Sequence, residues 1–147
     1  MKKAGLSLFG LGMKVSYLID TNIIIYSLKN LESVQKKFHE NERIPKCISI
    51  ITYGELLYGA KKSQSIEKNL AVVYRIRELF PVISIDMPII ETFGDLKSKY
   101  RKIGVVIDDF DLLIASTALT YNHILVTNNT RHFEKLDGLQ LEDWAIS

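Results

Sequence analysis

Apolar and polar positions follow two different periods along the chain. Continuous apolar runs rich in β-branched residues occur at "VSYLI" (15–19), "CISII" (47–51), "VISI" (82–85) and "ILVT" (124–127), with a weaker one at "LQLE" (139–142). Short runs without polar alternation predict strands of a sheet covered on both faces. Between them the period becomes helical. In "TYGELLYGAKK" the residues Tyr53, Leu56, Leu57 and Ala60 fall at i, i+3, i+4 and i+7, one stripe of an amphipathic helix. "IEKNLAVVYRIRELF" (66–80) and "IIETFGDLKSKYRKI" (89–103) also read as helices, the first stopped by Pro81 and the second started after Pro88. "DFDLLIASTALTY" (109–121) is apolar almost all round, which predicts a buried helix. Strands alternating with helices specify an α/β fold: a three-layer sandwich whose mostly parallel central sheet, of about five strands, is flanked by helices.

Composition narrows the class without changing the fold. At 147 residues the chain is sized for one domain with a real core. A hydrophobic fraction of 47% and a charged fraction of 24% are those of an ordinary globular protein, with no repeat or linker-like tract. The net charge of +2 does not make the whole surface adhesive to nucleic acid, so such a contact has to come from a local patch. The single cysteine, Cys47, excludes an internal disulfide and a thiolate zinc cluster. Inside "KCISII" it reads as an inert core thiol, which fits the reducing cytoplasm. The leader "MKKAGLSLFGLG" begins like a secretory signal, but no small-residue cleavage site follows and the run is too short to span a bilayer. Residues 1–13 are therefore expected to be an irregular extension and 14–147 the domain, with no membrane association.

The chemistry begins with a charge in the wrong place. Asp20 lies within "KVSYLIDTNIIIYSL", one of the most apolar stretches of the chain, and an unpaired buried carboxylate costs several kcal/mol. Two other carboxylates share its setting. Asp20 ends the first strand, Glu55 lies just past the second in the first turn of its helix, and Asp111 opens the buried helix that feeds "ILVT". In a parallel α/β sheet, sites form in the crevice beyond the carboxyl ends of the strands, where these three would meet. Each has a bland alternative. Asp20 could cap the helix starting near Thr21, "TYGE" (52–55) has the form of a capping box, and Asp108, Asp109 and Asp111 could complement a helix dipole. Three caps at one sheet edge would, however, crowd like charges into one pocket and oppose folding. A divalent cation removes that penalty. Oxygen ligands without Cys or His suit Mg²⁺ or Mn²⁺, ions that serve phosphoryl chemistry.

The segments "YLIDTNIIIYSL", "ITYGELLYGA", "DFDLLIASTAL" and "ILVTNNTRHF", with "LQLEDW" near the end, closely resemble PIN-domain ribonucleases, and more narrowly the VapC toxins of bacterial toxin–antitoxin pairs. The resemblance runs from about Val15 to Trp144. It implies a PIN-like fold and a Mg²⁺-dependent endoribonuclease that is inhibited by a cognate antitoxin and usually forms a homodimer. It also implies an RNA substrate, with tRNA favoured, because the subgroup most like this chain includes toxins that cut initiator tRNA. Asp20, Glu55 and Asp111 match the family's acidic metal ligands, and helical spacing favours Asp111 over Asp108 and Asp109. Asn22 and Thr127 match polar positions that line the same pocket. The chain departs from part of the family after the "LVT" strand, where Asn129 aligns with a fourth acid and His132 stands where many members carry Asp or Glu. A second metal site is thereby put in doubt.

Further features have less specific readings. "KSKYRK" (97–102) could offer cations to RNA phosphates and Tyr100 to a base, or could be a solvated helix face. Arg131, just after the pocket strand, is the better placed phosphate contact, while Lys61 and Lys62 suit a helix C-terminus. His123 and Trp144 read as structural, and His39 carries no signal. An aspartyl phosphatase is disfavoured because Asn22 stands where its second aspartate is needed. The remaining rival is a catalytically inactive PIN-like module that only binds RNA or protein.

Overall fold

The computed structural model describes residues 7–8 and 13–146. The expected irregular extension lies mostly outside them; within it, Ser7–Leu8 (β1) pairs antiparallel with Met13–Lys14 (β2). The domain proper runs β3 (Tyr17–Ile19), α1 (Thr21–Leu28), α2 (Glu32–Glu40), β4 (Lys46–Ser49), α3 (Ile50–Lys61), α4 (Ile66–Leu79) and β5 (Val82–Ile83). It continues with α5 (Met87–Lys102), α6 (Asp109–Tyr121), β6 (Ile124–Val126), α7 (Thr130–Phe133) and β7 (Leu141–Glu142). Strands β5-β4-β3-β6-β7 form one sheet, every neighbouring pair parallel.

Two cores follow from the pleat, which sends successive side chains to opposite faces. Tyr17, Ile19, Ile48 and Val126 face one way, onto Ile23, Ile24, Val34, Leu56, Ala60, Val73 and Ile76 of α1–α4. Leu18, Cys47 and Leu125 face the other, onto Tyr100 of α5 and Leu112, Ile114, Ala115 and Ala118 of α6. This is the expected three-layer sandwich, and burial on both sides explains why the strands carry no polar alternation. Trp144 is 1% exposed, set edge-on to Tyr17 and Phe38 at centroid distances of 5.0 Å each. Its core role is as expected.

Several boundaries differ from expectation for local reasons. Ile50 and Ile51 begin α3 rather than ending β4, because the Ser49 hydroxyl accepts the Ile51 N–H at 3.0 Å and caps the helix there. Helix α5 starts before Pro88, capped by the Asp86 carboxylate on Ile89 N–H; Pro88 sits in the first turn, where its missing N–H costs nothing. Helix α2 is absent from the expected elements: it is strongly polar and buries only Val34 fully. The chain lays β4 and β5 on one side of β3, then β6 and β7 on the other. The switch in strand order therefore falls between β3 and β6, the place where open α/β sheets build their sites. No helix among the described residues is long and apolar enough to cross a membrane.

Candidate active site at the carboxyl edge of the sheet

Asp20 and Thr127 are the residues that follow β3 and β6, so they leave the sheet side by side at the switch point. Asp20 is only 4% exposed. Its Oδ1 accepts the Thr21 N–H at 2.8 Å, and its Oδ2 accepts the Thr127 hydroxyl at 2.8 Å and the Asn22 amide at 3.3 Å. As the N-cap of α1 it bonds only the first helical N–H, whereas a capping side chain ordinarily reaches the second or third. Capping alone therefore does not account for the burial. Burial raises the Asp20 pKa, the Thr127 and Thr21 bonds pull it back, and the carboxylates of Asp111 and Glu55 push it up again. Among the described residues no ion pair is made with Asp20 or Glu55.

Glu55 lies in the second turn of α3, not its first, since the helix begins at Ile50. The capping-box arrangement of Thr52 and Glu55 does not form, because Ser49 is the cap. Glu55 is instead held toward the site: its Oε1 accepts the Thr21 hydroxyl at 2.6 Å, and that same hydroxyl lies 3.1 Å from Thr52 Oγ1. Thr21 thus joins the helix behind Asp20 to the helix carrying Glu55, a link that no motif in the sequence indicates.

Asp111 occupies the first turn of α6, which Asp108 caps through the Phe110 N–H at 3.1 Å. Asp109 points to Lys97, with an ion pair at 2.9 Å. The capping role thus belongs to Asp108, while Asp111, also in the first turn, faces the cleft with His132. Its Oδ2 meets His132 Nδ1 at 3.0 Å. Burial raises the Asp111 pKa, His132 lowers it, and Asp108 raises it slightly. His132 is the contact that sequence reasoning missed; its only signal was a basic residue at a position expected to be acidic.

Thr127 and Asn22, which the family resemblance implies, both bond the Asp20 carboxylate. Thr127 is fully buried, donates to Asp20, and accepts the Asn129 N–H at 3.0 Å. The Asn22 side-chain Oδ1 accepts the Asn128 N–H at 3.0 Å, tying α1 to the segment after β6. Asn129 contributes its backbone; its side chain is exposed and makes no capping bond to α7. Arg131 and His132 line a cleft of about 290 Å³ with Asp108, Asp111, Val106 and Ile107. Tyr100 is not available to a base: it is 4% exposed, and its phenolic oxygen accepts the Asp137 N–H at 2.9 Å. At the opposite, amino end of the strands, His123 contacts Ser16 and Cys47, and burial lifts the Cys47 thiol to about 12. This is an inert packing cluster.

Among the described residues, no three His, Cys, Asp or Glu side chains form a ready-made metal cage. Mg²⁺ does not require such a cage, since it takes one or two carboxylates and fills its octahedron with water. The donor set is oxygen only, and Asp20 lacks a counter-cation. The residues fit the ion.

The PIN domain family matches residues 17–139. The tRNA(fMet)-specific endonuclease VapC of Shigella flexneri is 39% identical over 132 residues, 89% of this chain and 99% of that protein. Among solved structures, DNA-bound VapBC from Salmonella typhimurium contains a chain 36% identical, with a TM-score of 0.80 over 88% of this chain and 98% of that one. VapBC2 from Rickettsia felis, bound to a promoter DNA fragment, contains one 31% identical, with a TM-score of 0.82 over 88% and 99%.

Proposed function

Since the chain belongs to the PIN domain family and, within it, to the VapC ribonucleases of toxin–antitoxin pairs, we propose that it is a Mg²⁺-dependent endoribonuclease that cleaves tRNA, initiator tRNA foremost. The observation that carries this is Asp20: a buried carboxylate at the strand-order switch, without a cation, under the field of two further carboxylates. Asp20, Glu55 and Asp111 hold the ion, directly or through its water shell. When bound, Mg²⁺ supplies charge that polarises the phosphodiester and acidifies a water. Thr127 and Asn22 fix the Asp20 carboxylate through its Oδ2. Thr21 holds Glu55. Asn129 fixes the turn through its backbone. Arg131, exposed on the rim of the Asp111 cleft, takes a phosphate of the RNA.

The specificity in the name of the Shigella relative supports initiator tRNA as substrate. An uncompensated acidic pocket also supports inhibition by an antitoxin that inserts an Arg or Lys there, and the single, buried and unpaired Cys47 thiol fits a reducing, cytoplasmic setting. The test is cleavage of purified initiator and elongator methionine tRNAs by antitoxin-free protein, in Mg²⁺ and in EDTA. Discrete Mg²⁺-dependent fragments from initiator tRNA alone are expected. Equal cutting of both tRNAs would refute the substrate, and no cutting of any RNA by folded protein would favour the inactive binding module.

A further inference from the structure

Six consecutive residues hold two of the three carboxylates. Thr127 donates to Asp20 Oδ2 and accepts the N–H of Asn129, while the carbonyl of Asn129 accepts the N–H of His132 at 3.0 Å. His132 in turn meets Asp111 Oδ2 through Nδ1 at 3.0 Å. An ionised carboxylate only accepts, so Nδ1 is the donor. Phe133, fully buried, pins the short helix from beneath. Among the described residues, His132 is the side chain bonded to the Asp111 carboxylate.

Resting on the metal-site reading above, we propose that His132 is a positioning residue for Asp111, its Nδ1–H fixing Oδ2 so that the carboxylate is presented to the divalent cation in one orientation. The Asp111 side chain is 22% exposed, so without this bond it is free to turn among rotamers and the cation has to order it. Donors behind a ligating carboxylate are worth roughly 10–100-fold in metal affinity. His132 is itself 56% exposed, which places it at the lower end of that range. Its imidazole is not the ligand: Nδ1 is spent on Asp111, and Mg²⁺ prefers oxygen. The histidine thus does a different job from the carboxylate that a fourth acidic ligand would supply. It secures a ligand instead of adding one.

The test is an NMR titration of the full chain, free of RNA and antitoxin, with MgCl₂. Four proteins are compared: wild type, His132→Leu, His132→Asn and Asp111→Asn, each shown to be folded by its urea midpoint. Asparagine keeps an N–H donor near the Nδ1 position, whereas leucine removes it. The proposal expects His132→Leu to weaken Mg²⁺ binding about 10-fold, with His132→Asn restored to near the wild-type value. If His132→Leu binds as wild type does while Asp111→Asn is weakened, the positioning role is wrong and the metal site stands. If leucine and asparagine are equally weakened, the imidazole acts in its own right and the proposal is overturned. Unaltered binding by Asp111→Asn would overturn the underlying metal-site reading instead.

Discussion

Replacing Thr127 by valine isolates what holds Asp20 in place. The side chain is fully buried, and valine keeps its branched shape while removing the hydroxyl. Three bonds are lost: donation to Asp20 Oδ2 at 2.8 Å, acceptance from Asn129 N–H at 3.0 Å and acceptance from the Asn22 amide at 3.5 Å, the last too long to contribute much. A bond to a charged group contributes about 1.5–3 kcal/mol and a neutral one about 0.5–1.5 kcal/mol. The expected loss is therefore roughly 2–4 kcal/mol. With a urea m-value of about 2 kcal/mol/M, the unfolding midpoint in EDTA at neutral pH falls by about 1–2 M, with m unchanged. A double-mutant cycle identifies the source. In an Asp20→Ala background only the Asn129 bond and the long Asn22 contact remain to lose, so the cost of Thr127→Val drops to about 1 kcal/mol. A cost below about 0.5 kcal/mol in the wild-type background, or full additivity with Asp20→Ala, would refute the reasoning.

Other consequences can be measured independently. Burial lowers the His123 pKa, so the unfolded chain binds the proton more readily. Stability contributed by neutral His123 is present above the unfolded value of about 6.5 and is lost as pH falls below it. Urea midpoints between pH 7.5 and 5.5 should decline less in His123→Gln, and identical slopes would contradict this. Tyr100→Phe removes the acceptor for Asp137 N–H and should cost about 1 kcal/mol in denaturation without altering tRNA cleavage, since Tyr100 is buried away from RNA. A selective loss of RNA binding in that variant would give the phenolic hydroxyl a part in RNA contact. Trp144→Ala should cost about 3–5 kcal/mol, because it empties a site packed by Tyr17 and Phe38; a fall in midpoint equivalent to less than about 1 kcal/mol would show that the site collapses.

The layers were legible in the sequence because burial on both sheet faces removes polar alternation, and "YLI", "KCIS" and "ILV" all became parallel strands. Helix α2 was missed although Leu31, Val34 and Phe38 fall at i, i+3 and i+7 on one face, because nearly all its other positions are polar and no apolar run marks it. The start of α3 was misplaced because Ile50 and Ile51 suit a strand as well as a helix, and only the Ser49 cap decides between them. For the site, the acidic residues could be read from their position near the ends of strands, which topology brings to one edge, whereas Thr127 came only from the family resemblance. The bonds that orient them could not. Thr21 to Glu55 and His132 to Asp111 join residues 34 and 21 positions apart, and neither pairing has a local signature. Tyr100 shows the opposite error: a basic run suggested a surface, while the helix turned its tyrosine into the core.

The most direct measurement compares tRNA cleavage by wild type and Asp20→Asn, both antitoxin-free and shown to be folded, across a Mg²⁺ titration. Asparagine keeps an acceptor for Thr21 and removes the charge. Mg²⁺-dependent fragments from the wild type, with none from Asp20→Asn at any Mg²⁺ concentration, are predicted. Equal cleavage by the two proteins would contradict the account, because the buried carboxylate would then have no part in the chemistry.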